Sequence, residues 1–252
     1  MNSNRLLGIT IDKQTKRDIL EKIKKYFLQP TGFFHIVSLN PENLVVVTQD
    51  KLFYEIVATA QIRLVDGVGV VAASRLLGLG AGERITGVGL MEELLKMAGD
   101  MRLRVLFIGG RHNLALKLAQ CQQQLHPEAS FRGIEGVKNI TEPAAEEEKA
   151  IFSIVSVMKP NIVFASFGSP AQEKWFWKNR AHFEGAVCMG VGGAFDYLGG
   201  NVIRAPKIIQ QFGLEWLFRL FHQPWRWKRQ LRLIKFGWLV LKQWTIKQLL
   251  KH

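Results

Sequence analysis

Five short β-branched or apolar runs, each closing on a polar or glycine turn and each separated from the next by longer segments, constrain this chain more than any other feature. They are "FFHIVSLN" (33–40), "IRLVD" (62–66), "RVLFIGG" (104–110), "NIVFASFG" (161–168) and "AVCMGVGG" (186–193); runs of that length and composition read as buried strands. Between them, "NLVVVTQDKLFYEIVATA" (43–60), "GLMEELLKMAGDM" (89–101), "HNLALKLAQCQQQL" (112–125) and "PAAEEEKAIFSIVSVM" (143–158) have helical length or spacing, the last with Thr141 and Pro143 as start signals. Strands alternating with helices predict an α/β fold: a Rossmann-like parallel sheet with helices on both faces. The 252 residues, 48% of them hydrophobic, suffice for one substantial core.

Charge divides the chain where the strands do not. Residues 204–252 hold eleven Lys/Arg against the single acid Glu215 and five of the seven tryptophans, whereas residues 1–203 hold 23 basic and 20 acidic residues. We therefore expect a Rossmann-like body over 1–203 and a basic, Trp-rich helical appendage over 204–252. In the appendage Trp227, Leu231, Ile234, Trp238 and Leu241 recur at helical spacing beside basic positions, the pattern of a helix lying in the plane of an anionic membrane surface. Its longest uncharged apolar run, "FGWLVL", is too short to span a bilayer. Single-stranded nucleic-acid binding would use the same residue types, but such a footprint would extend onto the body, which is nearly neutral, so no nucleic-acid partner is expected. Two isolated cysteines, Cys121 and Cys188, and the lack of a signal-type apolar stretch at the N-terminus fit a cytoplasmic chain with reduced thiols.

In open parallel sheets ligands bind beyond the carboxyl ends of the strands, where helix N-termini present free N–H groups. That rule gathers Ser38 and Asn40, Asp66, the Gly109–Gly110 pair, the 168–173 turn and the 190–196 turn on one crevice. "GVGVVA" (67–72) imitates a dinucleotide fingerprint, but the position about 20 residues on that should hold ribose by a carboxylate is near Arg84 instead. Asp66 itself fits either a helix N-cap or a functional carboxylate. In "SFGSPAQEKW" (166–175), Gln172 and Glu173 arrive at a helix start, able to bind sugar hydroxyls or simply to complement the helix dipole. "GVGGAFDYLGGNVIRAP" (190–206) points to a nucleotide: Gly190, Gly192 and Gly193 allow close backbone approach, and Asp196 can accept bonds from a ribose or a uracil. No Walker loop, Gly-x-Ser-x-Gly elbow, His-Glu-x-x-His or Asp-x-Asp pair occurs. A diphosphate would thus be neutralised by Arg/Lys and helix termini, with no metal and no cofactor.

Taken together, "SLNPEN" (38–43), "VDGVGVV" (65–71), "RITG" (84–87), "FGSPAQEKW" (167–175), "GVGGAFDYLGG" (190–200), "RAP" (204–206) and "GLEWLFRL" (213–220) resemble the WecG/TagA/CpsF family, glycosyltransferase family 26, over nearly the whole chain. The resemblance implies a GT-E fold and an inverting, metal-independent enzyme of surface-polysaccharide (teichoic acid or common antigen-like) synthesis. Such an enzyme moves N-acetylmannosamine, or its uronic acid, from a UDP-sugar donor to a polyprenyl-diphosphate-linked N-acetylglucosamine. It implies Asp66 as the general base, Ser38 and Asn40 near the sugar, Arg84 toward the leaving diphosphate and Gln172 toward a sugar. Gly192, Gly193 and Asp196 then face UDP. The family's appendage docks on the inner face of the cell membrane and brings arginines over the site, here Arg219, Arg226 and Arg229; members lacking it are often homo-oligomers. Ser38 stands where a threonine is expected and Gly89 where an acid is. Another UDP-hexose donor, or a non-catalytic membrane adaptor on the same fold, are the alternatives.

Overall fold

The computed structural model describes residues 4–110, 113–200, 205–206, 209, 215–222 and 227–250. A two-stranded antiparallel hairpin, β1 (Arg5–Leu6) and β2 (Ile9–Thr10), precedes the first helix, α1 (Lys16–Leu28). A capping box opens α1: Thr15 Oγ1 accepts from the Asp18 N–H while Asp18 accepts from the Thr15 N–H, satisfying two otherwise orphaned donors. The sheet then takes β3 (Phe34–Leu39), β4 (Ile62–Val65), β5 (Arg104–Gly109), β6 (Ser130–Ile134), β7 (Ile162–Ser166) and β8 (Val187–Gly190). All adjacent pairs are parallel, in the order β4-β3-β8-β7-β5-β6.

Side-chain alternation builds the layers, because successive residues of a strand point to opposite faces. Ile36, Leu64, Phe107, Phe164 and Met189 face one side, where α1, α5 (Gly87–Asp100) and α6 (Leu114–Leu125) cover them with Ile23, Leu94 and Leu118. Val37, Leu39 and Val65 face the other side, beneath α2 (Pro41–Val47), α3 (Lys51–Thr59) and α4 (Val68–Leu76). Farther along that side, Leu106, Val163 and Cys188 lie beneath α7 (Ala145–Met158) and α8 (Ala171–Lys178). The five anticipated strands and the doubly covered parallel sheet are all present. Three details differ. The 43–60 segment is two helices, because Asp50 caps α3 by accepting from the Phe53 N–H at 3.0 Å. Ahead of α7, Thr141 does not cap: it bonds Asn139, and Ala144 holds the N-cap position. The sixth strand, β6, comes from "SFRGI", whose Arg132 is exposed and whose Gly133 leaves no room for a Cβ beside Ala115 of α6.

Two helices of the tail are described, Glu215–His222 and Trp227–Leu249. The longer one docks through Phe236 and Val240, both nearly fully buried, into the apolar cluster that includes Leu44 and Val70. Gln243 fastens it to the hairpin by accepting from the Leu7 N–H and donating to the Arg5 carbonyl, each at 2.9 Å, and Lys247 donates to the Leu77 carbonyl. On the opposite face, Trp227, Leu231, Ile234, Trp238 and Leu241 are each more than half exposed. Among the described residues no helix is long and apolar enough to cross a membrane.

Candidate active site

Every strand of the sheet ends at one cavity of about 1000 Å³, at the upper end of ordinary ligand sites and able to hold two reactants. At ~4.8 Å between neighbouring strands, it runs roughly 24 Å from the β4 edge to the β6 edge. Helices α2, α4, α5 and α8 all start there, and the positive ends of their dipoles favour anionic ligands.

Asp66 lies at the β4 end. Its backbone N–H donates to the Leu39 carbonyl at 2.9 Å, aligning the turn after β4 with the end of β3. The carboxylate does not cap the helix that follows it: the N-cap of α4 is Gly67, at φ +102°, without a side-chain bond. Asp66 Oδ2 instead accepts from the N–H of Gly87, the first residue of α5, at 3.2 Å. A Cβ at Gly87 would stand 3.4 Å from Ser38 Oγ and 3.6 Å from Asp66 Oδ2, so a glycine here keeps the hydroxyl and the carboxylate close around one helix start. Thr86 caps α5 by accepting from Gly89 N–H at 3.1 Å, so the helix start is secured without an acid at position 89. Arg84 lines the same cavity. Its segment is pinned on both sides, Glu83 N–H to the Gln14 carbonyl and Ile85 N–H to the Val65 carbonyl, both 3.0 Å.

Asn40 caps α2 through Oδ1, which accepts from the Asn43 N–H at 2.8 Å. Asn43, buried, ties two strand ends together: its Nδ2 donates to the Ser38 carbonyl at 2.9 Å and its Oδ1 accepts from Ser169 Oγ at 3.0 Å. The glycine turns after β7 and β8 form a second assembly. Gln172, 3% exposed, accepts with Oε1 from both Gly168 N–H (3.1 Å) and Gly192 N–H (3.2 Å), and donates from Nε2 to Glu173 Oε1 (2.8 Å). Gln172, which lines the cavity, therefore also braces its walls, through Oε1 to the two turns and through one Nε2–H to Glu173. Burial pushes the Glu173 carboxyl up from its ordinary value, against hydrogen bonds from the Gln172 amide, its own backbone and the Ser169 hydroxyl. Ser166 Oγ donates to the Gly192 carbonyl at 2.6 Å, and Gly110 N–H to the Ser166 carbonyl at 3.2 Å. Asp196, half-buried in the first turn of α9 (Ala194–Leu198), lines the cavity with Gly192 and Gly193.

The structure thus brings Ser38, Asn40, Asp66, Arg84, Gln172, Gly192, Gly193 and Asp196 to one cavity. Arg226 lies outside the described residues, as do the side chains of Arg219 and Arg229. Asn43, Ser166 and Ser169 are additions: they lie within the "SLNPEN" and "SFGSPAQEKW" stretches, but their roles rest on contacts distant in sequence. Glu215, Trp216, Leu233 and Phe236 bring the tail into the cavity wall. Among the described residues no group of three His, Cys, Asp or Glu side chains is arranged to hold a metal ion.

A carboxylate and an arginine at one end of a cleft whose remaining length is glycine turns and helix starts have the form of an α/β enzyme's active site, in surroundings suited to anionic ligands. Comparison with known proteins narrows that class: the chain belongs to the glycosyl transferase WecG/TagA/CpsF family, whose sequence profile matches residues 4–249. It is a glycosyltransferase. Relatives from Staphylococcus aureus strains MW2 and NCTC 8325 / PS 47 carry the name N-acetylglucosaminyldiphosphoundecaprenol N-acetyl-beta-D-mannosaminyltransferase. Each is 32% identical over 229 residues, 90% of this chain and 87% of the relative.

Proposed function

We propose that the chain transfers N-acetylmannosamine from its UDP-sugar to a hydroxyl of polyprenyl-diphosphate-linked N-acetylglucosamine, with inversion and without a metal or cofactor. The observation that carries this reading is the placement of Asp66, held by the N–H of Gly87 in the cavity that Arg84 and the glycine turns also line. The names of the relatives supply the sugar and the acceptor. In the proposed step the acceptor oxygen attacks C1 of the donor sugar as Asp66 takes its proton. The C1–O bond to the diphosphate breaks, and UDP leaves with the electron pair from the opposite face, which inverts the anomeric carbon. Arg84, the helix starts and the appendage arginines Arg219, Arg226 and Arg229 offset the charge developing on UDP. Ser38 Oγ and the Asn40 amide bind sugar. Gly192 and Gly193 allow the diphosphate close, and Asp196 accepts from the nucleoside. The exposed Trp227–Leu241 stripe holds the enzyme peripherally on an anionic membrane where the lipid acceptor resides.

The test is UDP release from UDP-N-acetylmannosamine and other UDP-sugars, in EDTA, with a lipid-linked N-acetylglucosamine acceptor. The wild type should release UDP only with acceptor, and Asp66→Asn should be slower by about 10²–10⁴-fold while still binding UDP. Asparagine keeps an oxygen for the Gly87 N–H, so equal rates would remove Asp66 as the base. Release only after a divalent metal is restored would remove metal independence.

A further inference from the structure

Pro41 and Val68 from the body and Trp216, Leu233 and Phe236 from the two tail helices give the cavity that holds the Asp66 carboxylate an apolar wall, beside the acids Glu42 and Glu215. Phe236 is buried, its ring 3.7 Å from where a Cβ would stand on Gly69, whereas Trp216 is 41% exposed and Leu233 half-buried. One turn beyond Leu233 stands Gly237. It lies in the interior of a 23-residue helix, where glycine weakens the helix, and among the described residues nothing comes within 4 Å of where its Cβ would be. No packing against the described residues therefore calls for a glycine. Helical geometry at 3.6 residues per turn rotates Gly237 about 40° from Leu233, toward Ile234 and Leu241 of the exposed stripe. A notch without side chain thus continues from the apolar wall to the face turned away from the body.

We propose that this trough, from Trp216, Leu233 and Phe236 past Gly237, seats the first isoprenyl units of the lipid acceptor. The inference rests on the transferase reading above and adds a binding site to it. The acceptor sugar sits at Asp66, its diphosphate lies toward the mouth, and the proximal prenyl chain runs along the notch to the bilayer. The apolar wall then contributes to recognition directly, in addition to any gain from concentrating the lipid at a membrane. Glycine at 237 admits a chain close to the helix backbone, as glycines do where a ligand approaches.

The test uses water-soluble acceptors and no vesicles, so that membrane partition does not enter: N-acetylglucosamine diphosphate esterified with geranyl, and the same compound esterified with methyl. The wild type is expected to favour the geranyl acceptor in kcat/KM by at least about tenfold, the effect of burying a few methylene groups. Gly237→Leu should reduce that ratio to about twofold or less, Leu233→Ser should lower it from the cavity side, and Gly237→Ala, which stiffens the helix with the smallest side chain, should keep most of it. A wild type without preference, or a Gly237→Leu variant that retains it, overturns the inference while leaving the transferase reading intact. A folded wild type that turns over neither acceptor, nor a long-chain lipid acceptor in membranes, removes the transferase reading and the trough with it.

Discussion

Alanine at Gly190 is the most direct probe of the brace between the two glycine turns. A Cβ there would stand 2.4 Å from Nε2 of Gln172 and 2.6 Å from its Cδ and Cγ. The amide has no easy retreat, being 3% exposed and bonded to Gly168, Gly192 and Glu173. Forcing a methyl group into such a contact costs about 1–3 kcal/mol. Removing the amide by Gln172→Ala takes the acceptor from two N–H groups and one of several donors from the Glu173 carboxyl, about 1–3 kcal/mol for each group left unsatisfied. The two changes should not add. Once the Gln172 side chain is gone the methyl at 190 has space, so the double variant should be about as stable as Gln172→Ala alone, a coupling of about 2 kcal/mol. Urea unfolding of the four proteins, compared at constant m-value, measures this coupling, and UDP affinity should fall in both single variants as the turns move apart. Additivity to within about 0.5 kcal/mol would refute the claim that Gly190 is small to make room for Gln172.

His35 is buried, with neither ring nitrogen partnered among the described residues, and burial lowers its pKa to about 3. The unfolded chain takes up this proton below about pH 6.5, whereas the folded chain does not until about pH 3. The neutral imidazole's contribution is therefore complete above pH 6.5 and is lost as pH falls through that window, by up to about 1.4 kcal/mol per unit. His35→Leu should flatten the stability–pH curve between pH 6 and 4 in urea titrations, and an unchanged slope would count against it. On the exposed stripe of the tail, Ile234→Ser combined with Trp238→Ser alters two exposed side chains. This double variant should cosediment with phosphatidylglycerol vesicles at least about tenfold less than wild type; equal binding would take the stripe out of the docking surface.

Strand positions were legible because β-branched runs between glycine turns have few other uses, and the gathering of Asp66, Gly192 and Asp196 followed from the rule for parallel sheets. The tail's apolar spacing likewise identified the face turned from the body. What escaped was settled by contacts distant in sequence. Strand β6 is half-exposed and contains an arginine and a glycine, so its composition carries no strand signal; it forms because β5 offers an edge. The break between α2 and α3 depended on Asp50, which caps one helix and pairs with Lys174 of α8. Asp66 fitted either a helix N-cap in its own turn or a functional carboxylate; it does not cap that turn, and the bond recorded at its carboxylate comes from the start of a helix 21 residues on. Gln172 was legible as a cavity residue because amides bind sugars, but its bracing of the turns shows only in the approach of Gly168 and Gly192.

The hydrogen bonds recorded at Gln243 and Lys247 run to backbone groups of the body: the Leu7 N–H and the Arg5 and Leu77 carbonyls. Such a clasp does not depend on which side chains the hairpin or α4 carries. The body surface beneath the tail can therefore drift in sequence without releasing it, provided the backbone path and a seat for Phe236 persist. The tail's side chains that face away from the body can change likewise, because neither the clasp nor the Phe236 seat involves them.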